Sequence, residues 1–238
     1  MKKDRFIVIL ICVAFGLSVI FQLKGNENLS EKLAALVLPL ITVLYFLSIK
    51  RKSILLSGFF IVYSISDLLI FIEPYTSYEF NYYVGNFLYL LAYTFLIFEI
   101  AKTINVNTVF KQYFIHFVVL LLLSSYLVYV LNYVLDPFMT AATEQYIEIA
   151  YNVVLVTVLS VALLNYLVND NTKSLFFFFG ALSIVFAEII WVTLMYISNK
   201  NILHILVVSL HLLAYWFFYK QSKLFNIRYK EIGVKEEE

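Results

Sequence analysis

Charged residues are scarce in this sequence. Lysine, arginine, aspartate and glutamate together make up 14% of the 238 residues, whereas hydrophobic residues make up 63%. Soluble domains carry about 25% charged residues on average. The shortage of charge therefore excludes an ordinary water-soluble domain and indicates a chain whose surroundings are largely apolar.

Several chemical signatures are missing as well. The single cysteine, Cys12, lies inside an apolar run, so no disulfide can form within the chain. The sequence has no glycine-rich phosphate-binding loop, no Gly-x-Ser-x-Gly motif and no cluster of His and Cys with metal-ligand spacing. We therefore predict no cofactor, no metal and no nucleic-acid partner.

Long apolar runs fill most of the chain, and each is long enough for the ~20 residues of a membrane-spanning helix. Eight of them lie near residues 6–23, 33–49, 54–72, 82–101, 113–135, 145–168, 175–197 and 202–220. Isolated strands cannot cross lipid, and the short alternating segments of a barrel are missing. The sequence predicts an all-α integral membrane protein with one domain over residues 1–224 and a polar cytoplasmic tail over residues 225–238, in which we expect disorder from residue 226 onward.

The distribution of basic residues predicts the orientation of these spans. With the N-terminus in the cytoplasm, 14 of the 17 lysines and arginines fall on the inner side, and only Lys24, Lys32 and Lys200 fall outside. Basic residues accumulate on the cytoplasmic side of membrane proteins. We therefore expect both termini in the cytoplasm of a multi-pass protein of the bacterial inner (plasma) membrane.

The two halves of the chain resemble each other. Residues 173–192 align with residues 52–71 without a gap, and the sequence Leu-Leu-Ala-Tyr at residues 90–93 recurs at residues 212–215. Because each half contains an even number of spans, both halves have the same orientation in the membrane. We predict two parallel four-helix repeats, about 1–105 and 106–224, related by an axis along the membrane normal.

Two acidic residues lie deep within apolar spans. Asp67 is the single charge of residues 54–72, and Glu188 aligns with it in the second half. A carboxylate near the bilayer centre costs at least ~2.5–3.5 kcal/mol on insertion scales, so such residues are usually functional. Both acids are expected in the outer half of the membrane, at matching depths, facing a common cavity.

Polar side chains in other spans fall at the same depth as the two acids. They follow helical spacing, so each set lies on one face of its helix. Since the fourth, sixth and eighth spans enter from the outside, we predict a polar pocket between the two halves. Its predicted lining residues are Tyr63, Asn86, Tyr93, Glu148, Asn152, His211 and Tyr215.

Two other residues carry structural predictions. Glu99 lies near the inner end of the fourth span and is expected to form a solvated surface pair with Lys102, three residues later. Pro39 is expected to kink the second span.

Short motifs in these spans resemble a known family. An acid late in the third span, Gly85-Asn86-Phe87-Leu88 in the fourth, and Gly180-Ala181 with Phe186-Ala187-Glu188 in the seventh resemble the YhhN family of lysoplasmalogenase-like membrane proteins. The resemblance implies hydrolysis of the vinyl ether of a lysoplasmalogen or related lysolipid, with Asp67 and Glu188 as the catalytic acids. This chain has Glu188 where the family usually has Asp, and it lacks the histidine common in the family's fourth helix; His211 could take that place.

Vinyl-ether hydrolysis begins with slow protonation at carbon, which gives an oxocarbenium ion that water captures. It needs a proton donor and a second, ionised carboxylate that stabilises the cation or orients the water. We predict Glu188 as the proton donor and Asp67 as the charged partner.

The sequence also fits two other interpretations of the acids. In one, a small transporter or a lipid- or ligand-binding membrane protein uses them to bind a proton or cation. In the other, they only hold helices together by hydrogen bonds. A closed cavity with a lateral opening would favour the hydrolase, and a path through both halves would favour transport. The sequence does not specify the oligomeric state.

Overall fold

The computed structural model describes residues 2–139, 142–198 and 200–233, and within these ranges it contains helices and no strand. The helices are α1 (Lys2–Leu23), α2 (Glu27–Ala35), α3 (Val37–Ser48), α4 (Ile54–Leu68), α5 (Tyr78–Ala101), α6 (Val106–Gln112), α7 (Phe114–Leu135), α8 (Ala142–Asn169), α9 (Thr172–Tyr196) and α10 (Asn201–Gly233). Short 3₁₀ turns lie at Leu69–Phe71, Glu73–Tyr75 and Asp136–Phe138.

Eight helical stretches are long and apolar enough to cross a membrane. They are Asp4–Leu23, Glu27–Ser48, Ile54–Phe71, Tyr78–Ala101, Phe114–Phe138, Ala142–Asn169, Thr172–Tyr196 and Asn201–Leu224. Each contains most of one predicted apolar run. The predicted all-helical architecture with eight potential spans is therefore confirmed.

The second span is divided into α2 and α3 near Pro39. In a continuous helix, proline has no N–H to donate to the carbonyl four residues earlier, and its ring clashes with that carbonyl. Here that carbonyl belongs to Ala35, where α2 ends. At the break, the N–H of Leu36 donates to the carbonyl three residues earlier, that of Leu33, at 3.3 Å. Regular helix resumes at Val37. The distortion expected at Pro39 thus takes the form of a break on its N-terminal side.

The segment after residue 224 differs from its prediction. We expected disorder from residue 226, but α10 continues to Gly233. The extension contains good helix formers such as lysine, arginine and glutamate, and it contains no proline. A polar composition therefore does not by itself predict disorder in a segment that directly follows an apolar helix. Residues 234–238 of the predicted tail lie outside the described residues.

The centre of the protein is built by two helix pairs. α4 packs along α5 and α9 packs along α10, while α5 contacts α8 and α10 contacts α1 and α3. Phe59, Phe177 and Phe218 are buried between these helices, and the ring of Phe218 packs edge-on against Phe59 with 5.4 Å between centroids. Gly180 allows this packing, because a Cβ atom at that position would overlap the ring of Phe218.

Helix α7 lies at the edge of the bundle. Only two of its residues, Leu131 and Leu135, are buried. Leu121, Leu122 and Leu123 are each more than half exposed. Apolar surfaces of this extent usually contact lipid or another protein.

Candidate functional site

Asp67 lies in the last turn of α4, where it faces α5. Its Oδ1 accepts a hydrogen bond from the hydroxyl of Tyr89 at 3.0 Å. The preceding Ser66 donates to the backbone carbonyl of Gly85 at 3.1 Å, which holds this turn of α4 against α5. The carboxyl group is thus positioned by side-chain and backbone contacts to one neighbouring helix.

Glu188 is held between α5 and α10. α9 begins with a capping box between Asn171 and Ser174, and Glu188 lies past its midpoint. Its Oε1 accepts a hydrogen bond from the hydroxyl of Tyr93 at 3.1 Å and lies 3.5 Å from Nε2 of His211. The side chains of Glu188 and His211 are only 13% and 22% exposed, so this pair is largely shielded from the surroundings.

Tyrosine side chains join the two acids into one cluster. The hydroxyls of Tyr63 and Tyr93 lie 3.3 Å apart. The ring of Tyr63 also packs against Tyr89 and Tyr215, at centroid distances of 4.8 and 5.4 Å. His211 stacks on Tyr215 with 5.7 Å between centroids. We call this set the carboxylate–tyrosine cluster; its members are Tyr63, Asp67, Tyr89, Tyr93, Glu188, His211 and Tyr215.

The charged groups of the cluster influence one another. Asp67 interacts electrostatically with both Glu188 and His211. Hydrogen bonds donated to an ionised carboxylate are stronger than those between neutral groups, so Tyr89 and Tyr93 can stabilise a negative charge on their partners. Carboxyl, phenol and imidazole groups are also the usual donors and acceptors in proton transfer. The cluster therefore brings two carboxyl groups together with phenol and imidazole groups that can exchange protons with them.

The remaining predicted pocket residues form their hydrogen bonds outside the cluster. Asn86 donates to the backbone carbonyl of Tyr82 at 2.9 Å, and the hydroxyl of Tyr82 donates to Glu148 at 2.9 Å. Glu148 still interacts electrostatically with Glu188. Asn152 is buried and donates to Asn132 at 3.0 Å. The bond of Asn86 thus stays within α5, that of Glu148 joins α8 to α5, and that of Asn152 joins α8 to α7.

Two tyrosines were missed as members of the site. Tyr89 bonds Asp67 directly, and the ring of Tyr151 packs against Tyr93 with 5.8 Å between centroids. Tyr89 precedes Tyr93 by four residues and so shares its helix face. The four-residue spacing from Tyr93 is therefore the sequence feature that predicts Tyr89 as a member of the site.

Glu99 differs from its prediction. It forms the expected ion pair with Lys102, but it is buried, at 3% exposure, and also accepts a hydrogen bond from Ser53. Lys102 in turn donates to Ser53 at 2.9 Å. The expectation of a solvated surface pair is therefore wrong, because the start of α4 covers the carboxylate.

The described residues contain no group of three or more His, Cys, Asp or Glu side chains arranged to hold a metal ion. Comparison with family models, with curated proteins and with solved structures finds no match to this chain. The geometry of the carboxylate–tyrosine cluster is therefore the basis for inferring function.

Proposed function

We propose that this protein is a membrane-embedded lipid hydrolase that cleaves the vinyl ether of a lysoplasmalogen or a related lysolipid. The observation that carries the proposal is the enclosure of Asp67 and Glu188 in one cluster of hydrogen-bonding side chains. Two carboxyl groups that can hold different protonation states are what this reaction requires. The resemblance to the YhhN family leads to the same reaction.

In the proposed mechanism, Glu188 delivers a proton to the vinyl carbon farther from the ether oxygen. Tyr93 and His211 both approach Oε1 of Glu188, which leaves Oε2 to carry and donate the proton. The resulting oxocarbenium ion is stabilised by ionised Asp67, whose charge is supported by the hydrogen bond from Tyr89. Water adds to the cation and returns a proton to Glu188. The hemiacetal then collapses to a fatty aldehyde and a glycerophospho-base.

The predicted repeat is supported by contacts that cross between the two halves. Tyr93 ends the Leu-Leu-Ala-Tyr sequence of the first half, and it donates to Glu188 of the second. Tyr215 ends the same sequence in the second half, packs against Tyr63 of the first, and interacts electrostatically with Asp67. Glu188 thus bonds the matching tyrosine of the other half, and Asp67 interacts electrostatically with its counterpart.

The same cluster also favours a second candidate, a small transporter or a lipid- or ligand-binding membrane protein. A continuous set of carboxyl, phenol and imidazole groups can bind a proton or cation as well as catalyse hydrolysis. The two candidate functions require different conditions to be measured. Hydrolysis proceeds in detergent, whereas transport is measurable only across a sealed vesicle membrane. Aldehyde release by the purified protein in detergent therefore separates them.

The proposed orientation gives a testable topology. Because basic residues are concentrated at one side, reporters inserted after Lys50 and after Lys223 are expected to read cytoplasmic. A reporter after Thr76, in the connection before α5, is expected to read external. A cytoplasmic reading at Thr76 would contradict the placement of the cluster in the outer half of the membrane.

A further inference from the structure

A cavity with polar lining residues lies near the connections between α1 and α2 and between α9 and α10. Its volume is about 120 Å³, and it is lined by Gln22, Glu27, Glu31, Leu194, Met195 and His204. His204 precedes His211 by seven residues, and Met195 follows Glu188 by seven. Seven residues correspond to about two turns, or roughly 10 Å along a helix. The cavity therefore shares two helix faces with the carboxylate–tyrosine cluster but is a separate site.

Gln22 contributes an unsatisfied acceptor to this cavity. The side chain is 1% exposed, and its Nε2 donates to Oδ1 of Asn201 at 3.0 Å. Its Oε1 has no hydrogen-bond partner among the described residues. Nearly all buried polar atoms in proteins are hydrogen-bonded, so an orphaned carbonyl oxygen on a residue that lines a cavity points to a ligand that donates.

The same cavity has an acidic side. Glu27 and Glu31 lie one turn apart on α2, and Glu31 also interacts electrostatically with Glu73. In the described parts of the chain, no lysine or arginine forms an ion pair with Glu27 or Glu31. The nearest titratable neighbour on α10, His204, interacts with Glu27. Like charges at this spacing repel each other, and a bound cation would relieve that repulsion.

We propose that this cavity binds a primary ammonium group. The two carboxylates favour a positive charge, and Oε1 of Gln22 requires an N–H donor that a quaternary ammonium group lacks. The volume suits a small organic cation rather than a bare metal ion held by closely spaced ligands. The ammonium group can belong to a soluble amine or to the ethanolamine head group of a lipid. This inference does not depend on the hydrolase proposal.

Calorimetric titration of the purified full-length protein in detergent tests the proposal with four probes. Ethanolamine and choline form the soluble pair; lysophosphatidylethanolamine and lysophosphatidylcholine with the same acyl chain form the lipid pair. We expect the primary amine of at least one pair to bind at least tenfold more tightly than its quaternary counterpart. The double variant Glu27→Gln/Glu31→Gln is expected to weaken that binding at least tenfold. Gln22→Leu is expected to abolish the preference for the primary amine.

The control is Glu79→Gln, which removes an exposed acid in the first turn of α5 that does not line the cavity. It should leave the affinities unchanged. Preference within the soluble pair identifies a free amine as the ligand, and preference only within the lipid pair identifies the lipid head group. Equal affinity for all amines, or binding that the double variant leaves unchanged, overturns the proposal. If Gln22→Leu does not fold, the double variant still decides, because Glu27 is exposed and Glu31 is half-buried.

Discussion

Asp67→Asn and Glu188→Gln are each expected to lower turnover by about a hundredfold or more while leaving the protein folded. The amides keep the shape of the side chains and can still accept hydrogen bonds from Tyr89 and Tyr93. They can neither deliver a proton to carbon nor carry the negative charge that stabilises the cation. Aldehyde release at saturating lysoplasmalogen measures the loss, and thermal melting in detergent measures the fold.

Glu99→Gln is the matched control for these two variants. It removes another buried, hydrogen-bonded carboxylate, near the C-terminal end of α5 and roughly 15 Å along the helix from Tyr89. Its turnover should equal that of the unchanged protein. If the acids of the cluster served only to hold helices together, the amides would keep full activity, and alanine replacements would only lower stability, by ~0.6 kcal/mol per hydrogen bond. Full activity in both amide variants would end the two-carboxylate mechanism.

Gly180→Ala is expected to have the largest effect on stability among single methyl additions. The new Cβ would overlap the ring of Phe218, which is fully buried and packed between Phe59 and Phe177. Because these rings leave Phe218 little room to move, α9 and α10 would have to separate. Overpacking of this kind costs about 1–3 kcal/mol. A lower melting temperature in detergent would record it.

Gly16→Ala provides the comparison for this substitution. Gly16 also lies within a helix, but apart from its chain neighbours and the backbone of its own helix no atom lies within 4 Å of the position that its Cβ would occupy. Alanine there should be neutral or stabilise the helix by up to ~1 kcal/mol, since it favours helix more than glycine does. Equal melting temperatures for the two alanine variants would contradict the close packing of α9 against α10.

Much of the fold could be predicted from the sequence because a spanning helix must be apolar over its whole length. The same rule made Asp67 and Glu188 conspicuous, since each interrupts an otherwise apolar span. A distortion of the helix near Pro39 was expected as well, because its cause is local covalent geometry. Each of these features is determined by the sequence of a single segment and does not depend on which helices pack against it.

Features that depend on neighbouring helices could not be predicted in the same way. Spacing places Asn152 on a polar face of α8, but only the packing of α7 shows that Asn132 is its partner. Spacing likewise pairs Glu99 with Lys102, whereas the burial of Glu99 comes from the start of α4. Spacing puts Tyr89 on the same face of α5 as Tyr93, but nothing in its own segment shows that Asp67 lies opposite it.

Hydrolysis of lysoplasmalogen in deuterated water tests the central claim most directly. If Glu188 protonates the vinyl carbon, the proton that it delivers comes from solvent, and water supplies the aldehyde oxygen. The purified protein should therefore release a fatty aldehyde that carries one deuterium at carbon 2, as mass spectrometry of the immediately trapped product would show. Asp67→Asn should release almost none. Absence of aldehyde from the unchanged protein, or aldehyde without deuterium at carbon 2, would contradict the proposed function.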